Sequence, residues 1–164
     1  MPTTLENVRR RCEPLLRRVL HFYWRFSRGA TLGVRAVVFD EARRVFLVRH
    51  SYVAGWHLPG GGVEVGETCL TALRRELREE GNIELDGATP DLLGIFFNRA
   101  ASPRDHVLVY VVRDYRQSAL PKPNREIIEC GFYDVAALPE GTTAATRRRI
   151  SEASGLAKSA PEWS

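Results

Sequence analysis

Cysteine is scarce in this 164-residue chain: Cys12, Cys69 and Cys130 are odd in number and widely scattered, which excludes a disulfide framework and gives no zinc-ligand spacing. Long apolar runs are missing as well. No stretch approaches the ~20 residues that a membrane span needs, and the first residues lack the apolar core and small-residue cleavage site of a secretory signal. A reducing cytoplasm is the expected compartment. With 44% hydrophobic and 27% charged residues, the composition suits one globular domain with a real core.

Acidic charge is sparse at one end only. Residues 1–28 carry Arg9, Arg10, Arg11, Arg17, Arg18, Arg25 and Arg28 against Glu6 and Glu13, a balance of +5; the chain as a whole is +4, so residues 29–164 hold −1. The high isoelectric point therefore describes an arm, and nucleic acid is disfavoured as a partner of the remainder. Leu5, Val8, Cys12, Leu15, Val19, Phe22 and Phe26 recur at steps of three and four, the face of an amphipathic helix. Pro14 interrupts it and predicts a kink or a late start. Such a face packs on the following domain or on a second copy in a homodimer. A basic helix with aromatics also suits peripheral contact with an anionic membrane surface.

From Thr31 the period changes. Residues 31–39 and 45–48 read as strands joined through Asp40–Arg44 as a hairpin. Residues 92–97 and 106–112 read as two more across a Pro-containing loop, residues 116–125 as an exposed loop, and 142–153 as a closing helix. The expected organisation is a basic helical arm over 1–28, a catalytic domain over 29–153 and a flexible tail over 154–164.

Between these strands lies the stretch that carries chemistry. Four glycines occur among the eight residues from Pro59 to Gly66, and a helix with Thr68 as its N-cap follows. At about 100° per residue, Glu79 and Glu80 fall within about a sixth of a turn on either side of Glu76. Three carboxylates thus share one stripe, while Leu70, Leu73 and Leu77 gather a quarter-turn away. Such a stripe is either a solvated face, with Arg75 and Glu79 paired for about 0.2–0.5 kcal/mol, or a site for a divalent cation that relieves the mutual repulsion.

The residues from Gly61 to Ile83 resemble the signature of the Nudix hydrolases. A Gly and a Glu six residues on, Gly61 and Glu67, precede Arg75, Glu76, Leu77, Glu79, Glu80 and Ile83 at matching spacing. Asn82 stands where the family has Gly, and Asn tolerates a left-handed helix terminus next best. The resemblance implies an α/β fold, an α/β/α sandwich with a mixed sheet. It also implies hydrolysis of a diphosphate linkage in a nucleoside diphosphate joined to another moiety, with Mg2+ as cofactor and Mn2+ as an alternative. Glu76, Glu79 and Glu80, with the Gly60 carbonyl, would hold the cations. Glu79 or Glu126 would take the proton of the attacking water, Glu67 would support the metal shell, and Arg75 would orient its neighbours. Glu126, by its offset from an aromatic strand, is the downstream acid that would supply a further metal ligand or the general base, with Glu129 as the fallback. Arg49, His50, Tyr52, Gly61 and Gly62 are the residues expected to meet the small-molecule nucleotide, and His57 is expected to be structural. A module of the same fold that senses a nucleotide without cleaving it is the competing reading; the intact acids argue against it.

Overall fold

The structure, a computed structural model, describes residues 29–87 and 89–163 and, within the arm, residues 13, 17, 18, 20, 22–24 and 27. The chain separates into two compact units, Met1–Ala30 and Thr31–Ser164. The described arm residues are helical, and Arg17 pairs with Glu13 one turn earlier at 2.9 Å. Most of the proposed apolar face, together with Pro14, lies outside the described residues. Among the described residues no helix is long and apolar enough to cross a membrane.

In the second unit seven strands and two helices follow one another as β1 (Thr31–Val38), β2 (Val45–His50), α1 (Cys69–Gly81), β3 (Ile83–Leu85), β4 (Asp91–Phe97), β5 (Asp105–Val112), β6 (Tyr115–Gln117), β7 (Ile127–Tyr133) and α2 (Ala144–Ala153). The central sheet is mixed. β5 lies between β1, its parallel neighbour, and β4, its antiparallel one.

Alternation along these strands builds two cores, because successive side chains point to opposite faces. Val34, Ala36, Val38, Leu108 and Val112 meet Ala72, Leu73 and Leu77 of α1. Val37, Val107, Val109 and Val111 belong to a second cluster with Ile150 of α2. One helix therefore serves each core, which is the expected sandwich. Leu73 and Leu77 are fully buried, and truncating either to Ala costs about 2–5 kcal/mol.

The hairpin expected between β1 and β2 is corrected by the structure. Asp40 and Arg44 do close a tight turn, with the Asp40 carboxylate accepting the Arg44 backbone N–H at 2.8 Å. Beyond a single bridge between Phe39 and Val45 the strands diverge: β1 joins β5, whereas β2 pairs with β7. The end of the segment expected to be loose lies beside β4. Phe97 donates to the Pro161 carbonyl at 2.9 Å and Trp163 donates to the Phe97 carbonyl at 3.0 Å, so residues 161–163 run along β4. Trp163 packs edge-on against Phe96.

Candidate active site

The glycine stretch is pinned rather than flexible. Val34 donates to the Gly61 carbonyl at 2.8 Å, Ala36 to the Pro59 carbonyl at 3.0 Å, and Val63 to the Leu32 carbonyl at 2.9 Å. The stretch thus lies along the edge of β1 that β5 leaves open. Gly60 has φ +137°, and a Cβ there would collide with the Val34 carbonyl, so only glycine fits.

The acidic helix is set against this strip by its caps. Thr68 accepts the Thr71 N–H at its start, and Asn82 closes its end in the left-handed conformation at φ 51°, as the substitution for Gly requires. Arg75 then ties helix to loop. It donates to both oxygens of Glu67 at 3.1 and 3.2 Å, to Glu76 at 2.7 Å and to the Gly62 carbonyl at 3.1 Å, and lies 3.7 Å from Glu79. The bonds from Arg75 hold the Glu67 carboxyl below the usual carboxylate range.

A cleft of about 490 Å3 opens beside the strip, and Arg35, Tyr52, Gly60, Gly61, Gly62, Glu76, Glu80 and Glu126 are among the residues that line it. Glu80 is buried and accepts the Gly60 N–H at 2.7 Å. Burial pushes its carboxyl up to about 8, although the Gly60 bond and the charge of Arg35 pull the other way. Glu126 arrives from the loop before β7 and accepts the Tyr52 hydroxyl at 3.1 Å. His50 sits beneath them with Nε2 3.5 Å from Glu80, and burial, reinforced by Arg35 and His57, lowers its pKa.

Donor atoms of His50, Glu80 and Glu126 all lie within 4.8 Å of one another. That convergence of two carboxylates and an imidazole, with neighbouring Glu76 on the cleft wall, fits a divalent cation by its donor chemistry.

The three helix carboxylates do not share one environment. The side chains of Glu76 and Glu80 are 13% and 5% exposed, whereas that of Glu79 is 61% exposed. Arg49 and Glu129 stand apart from the convergent group. They face each other across the β2–β7 pair and form an ion pair at 2.9 Å, with the Arg49 guanidinium 5.7 Å from the centre of the Trp56 ring. Arg49 and His50 are successive strand residues and so point to opposite faces. His57 bonds the Ala54 carbonyl at 2.9 Å, holding its own loop.

Arg35 was missed from sequence. It lines the cleft, and one of its terminal guanidinium nitrogens, NH1, is buried without a hydrogen-bond partner. Its signal was a lone cation in the apolar run Val34-Arg35-Ala36-Val37-Val38. Asp105 and Asn98, also on the cleft wall, stand at the two ends of the Pro-containing loop; Asp105 accepts the Thr31 hydroxyl at 2.6 Å and the Asn98 amide at 2.8 Å.

Sandwich, pinned glycine strip and acid-lined cleft together define a domain of the Nudix type. The NUDIX domain family matches residues 29–153, and the chain belongs to it. The m7GpppN-mRNA hydrolase NUDT17 of Xenopus laevis is 30% identical over 126 residues, covering 66% of this chain and 43% of that protein. An RNA pyrophosphohydrolase of Legionella pneumophila is 38% identical over 66 residues, 37% of this chain and 38% of that one. The chain thus spans less than half the length of these curated relatives. Among solved structures, a MutT NUDIX hydrolase from Burkholderia pseudomallei superposes with a TM-score of 0.63 at 24% identity, over 76% of this chain and 98% of that one. That likeness is one of fold.

Proposed function

We propose that this chain hydrolyses, with a divalent cation, the diphosphate linkage of a nucleoside diphosphate joined to another moiety. The observation that carries the reading is the convergence of Glu76, Glu80 and Glu126 on one cleft beside the glycine strip. Mg2+, or Mn2+ in its place, would be held by Glu80 and Glu126, with Glu76 and Glu79 at the margin and the Gly60 carbonyl as a further donor. Such a cation supplies charge neutralisation for phosphate oxygens and acidifies water.

The chain's own groups do the rest. Arg75 fixes Glu67 and Glu76 through charge-assisted bonds and leaves Glu79 within ionic reach. Tyr52 orients Glu126, which with Glu79 is a candidate to take the water's proton. The unpartnered NH1 of Arg35 is suited to a phosphate oxygen, since an anion would satisfy a buried donor that nothing in the protein satisfies. Gly61 and Gly62 let a phosphate chain come close to backbone.

The identity of the other moiety is tested with a panel. Nucleoside triphosphates, nucleotide sugars, dinucleoside polyphosphates and both capped and triphosphorylated RNA are incubated with the protein in Mg2+ and in Mn2+, and products are separated by chromatography. RNA ends belong in it because the two curated relatives bear names of RNA-directed hydrolases. Cleavage of a phosphoanhydride in at least one compound is expected; no turnover on any overturns the proposal.

A further inference from the structure

Among the groups that meet at the acidic end of the cleft, His50 is the one that an oxygen-only cation site does not require. It ends β2, and its side chain is 5% exposed. Tyr52 and His57 pack against the ring, with centroids 5.1 and 5.9 Å away. Neither nitrogen makes a hydrogen bond of ordinary length. Nδ1 is buried without a partner, and Nε2 stands 3.5 Å from Glu80 Oε1, beyond the range of a good N–H···O bond. A buried imidazole left this way is destabilising, and a cation on Nε2 would relieve the side of the ring that faces Glu80.

The carboxylates around it are arranged to leave that task to a cation. Glu80 has Oε2 engaged by the Gly60 N–H, so Oε1 is the atom turned to the ring. Glu126 is oriented through Oε1 by Tyr52. The one close separation fits too: ligands about 2.1 Å from one ion lie about 3 Å apart when adjacent and about 4.2 Å when opposite, and His50 Nε2 stands 3.5 Å from Glu80 Oε1, with a Glu126 oxygen in the same group of donors. Arg35 lines the same cleft, but its charge weakens every dication alike and does not distinguish between metals.

We propose that the His50 imidazole is a metal ligand, and that with Glu80 and Glu126 it forms a mixed nitrogen and oxygen site that takes Mn2+ in preference to Mg2+. Mg2+ holds to hard oxygen donors and keeps its waters, whereas Mn2+, though also at home among carboxylates, belongs to the first-row series and accepts an imidazole nitrogen more readily than Mg2+ does. The inference rests on the metal-dependent reading of the cleft and specifies which ion that cleft selects.

The test uses metal alone on the full chain. Mn2+ is titrated and followed by electron paramagnetic resonance, and pulsed spectra are recorded for nitrogen hyperfine modulation. Wild type is expected to show 14N modulation that changes character when histidine is labelled with 15N, and to bind Mn2+ more tightly than Mg2+ by on the order of tenfold. His50→Gln is expected to lose the modulation and most of the preference. Glu126→Gln should weaken both metals and keep the nitrogen signal. Bound Mn2+ without nitrogen modulation in wild type overturns the proposal, and that measurement does not depend on any variant folding. Modulation that survives in a folded His50→Gln protein overturns it as well. Nitrogen-coupled Mn2+ in a chain that cleaves nothing in the substrate panel would defeat the hydrolysis reading alone, and hydrolysis without the coupling would defeat this one alone.

Discussion

Glu80 accepts the Gly60 backbone N–H at 2.7 Å, and that bond ties the acidic helix to the glycine strip. Each end of it is constrained independently. Gly60 is held by the β1 edge at a φ of +137°, and Glu80 is held by a helix whose Ala72, Leu73 and Leu77 are fully buried. The carboxylate is thereby placed without conformational search, which is the condition for electrostatic help that needs no reorganisation during reaction.

Gly60 and Gly61 should respond differently to the same substitution. At Gly60 a Cβ meets the Val34 carbonyl, which is strand backbone and cannot yield, and φ is unfavourable. Gly60→Ala is expected to lose about 1–3 kcal/mol or more from backbone strain alone. At Gly61 the Cβ meets the Glu76 carboxylate, the movable end of a side chain. Gly61→Ala should therefore melt close to wild type while misplacing Glu76, with turnover down by roughly 10²-fold. Thermal unfolding and steady-state rates of the pair decide it. A fully active Gly61→Ala protein would remove Glu76 from the working site.

Glu79 is the more exposed of the helix acids, and its substitution separates rate from stability most cleanly. Glu79→Gln removes no buried contact, so its unfolding transition should match wild type within about 0.5 kcal/mol. If Glu79 takes the water's proton or steadies charge in the transition state, kcat falls by roughly 10²–10³-fold. Near wild-type hydrolysis by the folded variant would sink that role and leave Glu126 as the base.

In the metal-free protein the Glu80 carboxyl is raised by burial from 4.5 to about 8. Between those two values the folded chain holds a proton that the unfolded chain has released, so stability falls as pH rises from about 4.5 to about 8 and levels off above. The slope from this one group is at most about 1.4 kcal/mol per pH unit. Urea unfolding across that window checks it: Glu80→Gln should flatten the slope, and Mn2+ or Mg2+ should offset the loss at pH 8 by binding the ionised form. A slope unchanged in Glu80→Gln would assign the effect to other groups.

The layout of the acidic helix in the candidate site could be read from spacing because α1 obeys a local rule. The 3.6-residue period placed Glu76, Glu79 and Glu80 on one stripe, and Thr68 and Asn82 announced both caps. What could not be read was set by long-range pairing. The turn at Asp40–Arg44 is a good hairpin signal, yet β5 competes for β1 and β7 for β2, across some seventy-five and eighty residues of chain respectively. Arg35 needed the same information, since a charge in a strand is interpretable only once its neighbours across the cleft are known. His50 and Arg49 looked equivalent in sequence, and the pleat of β2 sends only one of them to Glu80.

Arg149 and Glu152 form a buried ion pair far in purpose from the cleft. Their side chains are 0% and 1% exposed and meet at 2.8 Å. The guanidinium lies 3.8 Å from the centre of the Phe96 ring and 5.9 Å from that of Trp163, so the closing segment of the chain forms part of its cover. Ala160 donates to the same Glu152 oxygen at 3.2 Å. Burial already pulls the Arg149 guanidinium below its usual range, and its Nε and NH1 have no partner, so the pair is poorly compensated. Glu152→Ala would leave an unpaired buried cation and is expected to cost about 3–5 kcal/mol. Replacing both partners, Arg149→Met with Glu152→Leu, should restore most of that loss, because two well-packed apolar side chains carry no desolvation penalty. Urea denaturation of the single and double variants measures both values, and a double variant no more stable than Glu152→Ala would show that the packing of the arginine on Phe96 and Trp163, rather than its charge, holds this end of the fold.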